Sequence, residues 1–212
     1  MGQSGRRADR RGPELGVVRG PRPGREGAAP GHIILLNGTP SSGKTTVARA
    51  LWDELEPPHW YRSLDDFRQG YQERHWLADP RPLFERVFRG FVRSIAEMAW
   101  AGHSVITEAV ILPGNADTYL DALEGLTVVL VGVRCPLSVA QQRERQRTDR
   151  LGGPIDLAVP DFDAVHRDVP YDIDFDTSIV KTAGAVRRVR ARLSSGEALT
   201  AFDLLRARRG SA

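Results

Sequence analysis

Residues 38–45 read Gly-Thr-Pro-Ser-Ser-Gly-Lys-Thr. Two glycines with four residues between them, followed at once by lysine and threonine, form the pattern of a phosphate-cradling loop. Glycine lets backbone approach phosphate oxygens where a β-carbon would clash. The pattern also dictates its flanks, because the loop must leave a strand and enter a helix. Both are present. Ile33 to Leu36 is a short apolar run of the kind that fills a buried parallel strand. Val47, Leu51 and Leu55 then recur every four residues, the spacing of one helix face. The amides of Ser42 to Thr45 are expected to point at phosphate from the start of that helix. Lys44 is expected to reach the β- and γ-phosphates, and the Thr45 hydroxyl to hold Mg²⁺. Gly38, Thr39, Pro40, Ser41, Ser42, Gly43, Lys44, Thr45 and Thr46 thus form the expected nucleotide-binding set. Lys44 and Lys181 are the only lysines in a chain that uses arginine elsewhere. A lysine kept here suggests that a compact ammonium is required.

The rest of the chain alternates strand and helix signals. Trp60 to Leu64 reads as a second strand leading into Asp65-Asp66-Phe67. From Leu83 the apolar positions 84, 87, 88, 91, 92, 95 and 98 follow helical spacing. That helix should reach Trp100 and stop at Gly102. Ser104 to Thr107 is a third strand ending at Glu108. Asn115 to Leu123 is a short helix, and Thr127 to Val133 a clear strand. An Arg/Gln-rich helix from Leu137 to about Arg147 meets Gly152-Gly153. Asp172 to Thr177 is a last strand, followed by helices over 180–193 and 197–208. Such alternation predicts right-handed crossovers and an α/β fold. We expect a three-layer αβα P-loop sandwich with a parallel sheet of about five strands and a short helical lid at about 143–165. Ligands in such sheets sit at the carboxyl ends of the strands. The phosphate loop, Asp65, Asp66, Glu108 and Arg134 all fall just past predicted strand ends.

The 212 residues suit one domain, and a hydrophobic share of 41% with 27% charged residues is ordinary for a soluble globular chain. No apolar run approaches membrane-spanning length. The one cysteine, Cys135, fits a reducing cytoplasm. The net charge of +3 has its basic excess in residues 1–30, an Arg/Gly/Pro segment read as a disordered extension before a folded domain over 31–212. That segment could serve as a nucleic-acid arm, but an inert leader is the plainer reading. Homo-oligomerisation is left open.

A GTP-dependent switch needs a guanine-reading Asn-Lys-x-Asp after a late strand, and neither lysine is so placed. A kinase acting on a small molecule needs a carboxylate to take the acceptor's proton and arginines to neutralise the transferring phosphoryl. Asp65 and Asp66 are the carboxylates expected, although paired aspartates also cap helices. Arg143, Arg147 and Arg150 share one face at i, i+4 and i+7, although such arginines also serve as a solvated surface. Glu108 reads either as a metal-side carboxylate or as a helix cap. His166 and Cys135 read as structural. The alternative from another class is a nucleotide-gated regulatory protein, which would need no acceptor base.

Val131-Gly-Val-Arg-Cys, then Val139-Ala, Arg143-Glu144, Arg147 and Asp149-Arg150 resemble the chloramphenicol phosphotransferase family. So do Val165-His166, Tyr171-Asp172 and Asp176-Thr177, together with the phosphate loop and the aspartate after the second strand. The resemblance runs from about residue 33 to 185. It implies ATP-dependent phosphorylation of a small-molecule hydroxyl, with Asp65 or Asp66 as general base. Residues 68–82 depart from the family's pattern and should touch the acceptor. Chloramphenicol, another antibiotic, a nucleoside or another metabolite therefore all stay open as acceptors.

Overall fold

The computed structural model describes residues 29–71, 80–146 and 162–209. Its centre is a five-stranded, all-parallel sheet: β1 Ile33–Asn37, β2 His59–Arg62, β3 Ser104–Ala109, β4 Val128–Arg134 and β5 Ile173–Asp176, in spatial order β2-β3-β1-β4-β5. The predicted α/β architecture is the one observed. Every residue of β1 is buried. That is why it carries no alternating polar residue: a central parallel strand is covered on both faces.

Seven helices connect or flank these strands among the described residues: α1 Lys44–Glu54, α2 Leu64–Arg68, α3 Pro80–Trp100, α4 Ala116–Ala122, α5 Leu137–Arg145, α6 Thr182–Ser194 and α7 Ala201–Arg209. The pleat of β1 divides the core between two layers. Ile33 and Leu35 face Phe91, Ile95, Tyr119 and Phe202 from α3, α4 and α7. Ile34 and Leu36 face Val47, Leu51, Val186 and Val189 from α1 and α6. The two layers fix β1 against sliding, because a one-residue slip would exchange its faces. The phosphate loop is anchored to this most buried strand.

Two boundaries differ from the expectation in ways that matter. Asp65 and Asp66 do not trail off a strand. β2 stops at Arg62, and Ser63 caps α2 through a capping box with Asp66. Ser63 competes for the backbone as an N-cap does, so the strand yields to a helical turn. Glu108 lies within β3, in register with Leu36, not beyond the strand's end. Likewise Arg134 is the last residue of β4. The long helix α3 begins at Pro80 and not Leu83, since proline is tolerated at a helix start. Its end at Trp100 before Gly102, at φ 93°, agrees with the expected stop. Arg147, Arg150, most of the expected lid and residues 1–28 lie outside the described residues.

Candidate active site

The loop from Gly38 to Gly43 joins β1 to α1, and its shape depends on its residue types. A β-carbon on Gly38 would sit 2.2 Å from the Val133 carbonyl oxygen, so only glycine fits that crossing. Gly43 is at φ 96° and Ser41 at φ 61°, both in the left-handed region. Gly43 supplies no capping side chain to α1, and the first turn of α1 carries no acid. The amides there stay available to an anion.

Polar atoms crowd the loop without partners. Thr39 Oγ1, Ser41 Oγ and Ser42 Oγ are buried and make no hydrogen bond among the described residues. Buried hydroxyls are seldom left so, because each costs about 1–3 kcal/mol. Lys44 is 8% exposed, and its Nζ donates to the carbonyls of Gly38 at 2.8 Å and Thr39 at 2.7 Å. The ammonium is therefore folded over the loop whose hydroxyls lack acceptors. A phosphate group would supply those acceptors, so the donor set fits a nucleotide's phosphates. Thr46 is exposed at the third position of α1, and Pro40 starts the turn that places Ser41.

Beside the loop, Thr45 Oγ1 donates to Glu108 Oε2 at 2.9 Å, and the Tyr61 hydroxyl donates to Glu108 Oε1 at 2.7 Å. With its proton on Glu108, the Thr45 oxygen keeps lone pairs for a cation. Among the described residues no three His, Cys, Asp or Glu side chains converge as a metal cage. Mg²⁺ does not demand one, since it is held by one or two protein oxygens plus phosphate and water. Thr45 and Glu108 fit that donor set.

On the opposite flank Arg143 reaches from α5. Its Nη1 donates to Thr177 Oγ1 at 2.8 Å and to the Ser42 carbonyl at 3.3 Å, and its Nη2 to the Thr177 carbonyl at 3.1 Å. Thr177 Oγ1 itself donates to the Ser42 carbonyl at 2.7 Å. Arg143 thus bridges the phosphate loop and the turn after β5. The expectation that it shares a lid face with Arg147 and Arg150 concerns residues not described, but Arg143 itself is tied to the loop's backbone.

The two aspartates separate. Asp66 Oδ2 accepts from Ser63 Oγ at 2.7 Å and faces the Ser63 amide at 3.4 Å. The Asp65 side chain is 66% exposed and, among the described residues, meets only Arg68, at 3.5 Å.

A buried polar network lies under the loop's entrance. Asn37 Oδ1 accepts from the Ile111 amide at 2.8 Å, while its Nδ2 donates to the Val165 carbonyl at 3.0 Å and the Tyr171 hydroxyl at 2.8 Å. His166 Nδ1 lies 2.7 Å from that same hydroxyl. Burial, then the charge of Arg134, pushes the His166 imidazole down to about 4. Burial raises the Tyr171 phenol to about 12. Arg134 lies over the Tyr171 ring at 5.4 Å and pairs with Asp174 at 2.9 Å. Cys135 is buried, and burial raises its thiol. Sequence reasoning missed Tyr61, Asn37 and the bridging part of Thr177. Only the cross-strand register brings Tyr61 to Glu108, and no spacing along the chain reveals it.

A parallel sheet in this order, with a glycine-rich loop between its first strand and helix, defines the P-loop α/β fold. Solved structures share that fold. One is the Mycobacterium tuberculosis APS kinase CysC in complex with AMPPNP and APS, with TM-score 0.59 and 17% identity over 77% of this chain and 98% of that one. Another is the shikimate kinase from Bacteroides thetaiotaomicron, with TM-score 0.55 and 19% identity over 76% and 98%. Residues 31–194 match the family model described as "Chloramphenicol phosphotransferase-like protein", and the chain belongs to that family. It is also 27% identical over 210 residues to a Mycobacterium tuberculosis protein named "Putative O-phosphotransferase", across 86% of this chain and 91% of that protein. Family and fold together support a phosphotransferase. No described helix is long and apolar enough to cross a membrane.

Proposed function

We propose that this protein transfers the γ-phosphoryl group of ATP to a hydroxyl of a small molecule. The observation that carries the reading is the polar cradle: three buried hydroxyls on one loop, without partners among the described residues, with a lysine folded over them. In the proposed reaction the amides at the start of α1, with Thr39, Ser41 and Ser42, hold the phosphate oxygens. Lys44 swings from the Gly38 and Thr39 carbonyls to the β- and γ-phosphates. Mg²⁺, held through Thr45 and Glu108, would neutralise phosphate charge. Arg143, with Arg147 and Arg150, stabilises the charge spread over the transferring group.

The acceptor oxygen attacks phosphorus as the bond to the β–γ bridging oxygen breaks and ADP departs. The acceptor's proton passes to a carboxylate. Of the two aspartates, Asp65 is the base we favour. The Asp66 carboxylate is engaged in the helix cap, whereas Asp65 faces solvent and, among the described residues, gives up one long ion pair. The acceptor is open among antibiotics, nucleosides and other hydroxylated metabolites.

The test is ADP release from ATP and Mg²⁺ against a panel of such compounds, chloramphenicol included. Stimulation by an acceptor, with phosphate found on that acceptor, supports the reading. Tight ATP binding with no acceptor-dependent turnover across the panel contradicts it and favours a nucleotide-gated regulator.

A further inference from the structure

Tyr61 and Glu108 meet because of the sheet's register. Tyr61 pairs with Ile106 across β2 and β3, and Glu108 stands two residues further along β3. Residues two apart share a face of a sheet, so both side chains project into the layer beneath α1. There the Tyr61 ring packs against the cluster of Ile34, Leu36 and Val47, and its centroid lies 6.2 Å from that of Trp52. The ring is held by apolar neighbours while its hydroxyl points at one particular atom, Glu108 Oε1, at 2.7 Å. The other carboxylate oxygen, Oε2, takes the Thr45 proton at 2.9 Å.

Each oxygen of Glu108 therefore has its own donor, one from β2 and one from α1. Two donors on two oxygens fix the plane of a carboxylate as well as its position. If the Tyr61 bond is absent, Glu108 can rotate about its last side-chain torsion, which is soft for such a group. The Thr45 proton then loses its fixed acceptor, and the Thr45 lone pairs lose their aim.

We infer that Tyr61 is a positioning residue for the cation site: its hydroxyl locks the Glu108 carboxylate so that Thr45 presents its oxygen to the metal. The inference rests on the reading of Thr45 and Glu108 as the metal-side pair. Partners that orient metal ligands typically contribute about 10–100-fold in metal affinity. Tyr61→Phe removes the hydroxyl and leaves the ring and its packing.

The experiment is calorimetric titration of ADP at a series of Mg²⁺ concentrations, with wild type, Tyr61→Phe and Glu108→Gln, and with the melting temperature of each. For Tyr61→Phe we expect wild-type affinity for metal-free ADP. We also expect about a tenfold rise in the Mg²⁺ concentration that half-enhances binding, with turnover recovering at excess Mg²⁺. An unchanged Mg²⁺ dependence in Tyr61→Phe, with Glu108→Gln impaired, overturns the role of Tyr61 and leaves the metal-side reading standing. A wild-type Mg²⁺ dependence in Glu108→Gln defeats the metal-side reading and the inference together. Equal loss of metal-free and Mg²⁺-dependent binding in Tyr61→Phe, with a lowered melting temperature, makes Tyr61 a packing residue and also overturns the inference.

Discussion

Ser63 and Asp66 bind each other reciprocally. The Ser63 hydroxyl donates to Asp66 Oδ2 at 2.7 Å, and the Asp66 amide donates back to Ser63 Oγ at 3.1 Å. This exchange ties one member of an aspartate pair into the helix cap, while Asp65 has, among the described residues, a single long contact, to Arg68. Adjacent carboxylates that look equivalent in sequence thereby differ in their contacts.

The first prediction follows from that division. Asp65→Asn should lower kcat by at least about a hundredfold, the lower end of general-base help, with little change in ATP affinity. Asp66→Asn should keep most of the turnover and instead cost about 1 kcal/mol of stability, the usual worth of a helix cap. Steady-state kinetics and denaturant melts on both variants check it. Near-normal rates in both would shift the base assignment to Glu108.

Arg143 gives a second prediction. Its guanidinium holds the Ser42 carbonyl and both oxygens of Thr177, a planar fork that an ammonium cannot copy. Arg143→Ala and Arg143→Lys should both raise the KM for ATP, roughly five- to twentyfold for the loss of charge-assisted bonds. Thr177→Val should show a smaller change in the same direction. Wild-type ATP kinetics in all three would mean that the bridge does not shape the loop.

The third prediction concerns pH. At the amino ends of the strands, His59 Nδ1 lies 2.7 Å from the Pro57 carbonyl, His32 Nε2 lies 3.2 Å from His59 Nε2, and Ser104 Oγ lies 3.1 Å from His32 Nδ1. The Pro57 carbonyl can only accept, so His59 carries its proton on Nδ1. His32 then donates through Nε2 and accepts from Ser104. A further proton on either ring sets two N–H groups face to face. Burial lowers both imidazoles; the neighbouring His59 adds to the effect at His32, while the bond to the Pro57 carbonyl, and then Glu56, oppose it at His59. His166 is lowered to about 4. Groups depressed in the folded state bind more protons when unfolded. Their stabilisation is thus complete above the unfolded value near 6.5 and is lost as pH falls below it. The melting temperature should drop by roughly 3–8 °C between pH 7.5 and 5.5, and by less in His59→Gln. A flat profile in the wild type would contradict the neutral histidine chain.

Much of the fold was legible in the sequence because its strongest signals are local. Ile33 to Leu36 before the glycine loop, and the 84–98 periodicity, fixed β1 and α3 without any long-range knowledge. The parallel sheet then followed from alternation alone. The site was legible only where function is written along the chain, as at Lys44 and Thr45. Asp65 and Asp66 could not be told apart, because a serine cap decides which one is consumed. Glu108 was read past a strand end, yet its chemistry depends on Tyr61, forty-seven positions away along the chain and visible only through register. Asn37 was hidden for the same reason: its partners Ile111, Val165 and Tyr171 come from two distant segments.

The central claim is that this loop and its lysine drive phosphoryl transfer from ATP to a hydroxyl. The most direct measurement follows the γ-phosphoryl by mass spectrometry, in wild type and in Lys44→Ala, with an acceptor that stimulates ADP release. The account predicts a phosphorylated acceptor and stoichiometric ADP from the wild type. It predicts neither from a Lys44→Ala protein whose melting curve matches the wild type. Wild-type phosphorylation by folded Lys44→Ala, or ADP formed with no phosphate on the acceptor, would contradict it.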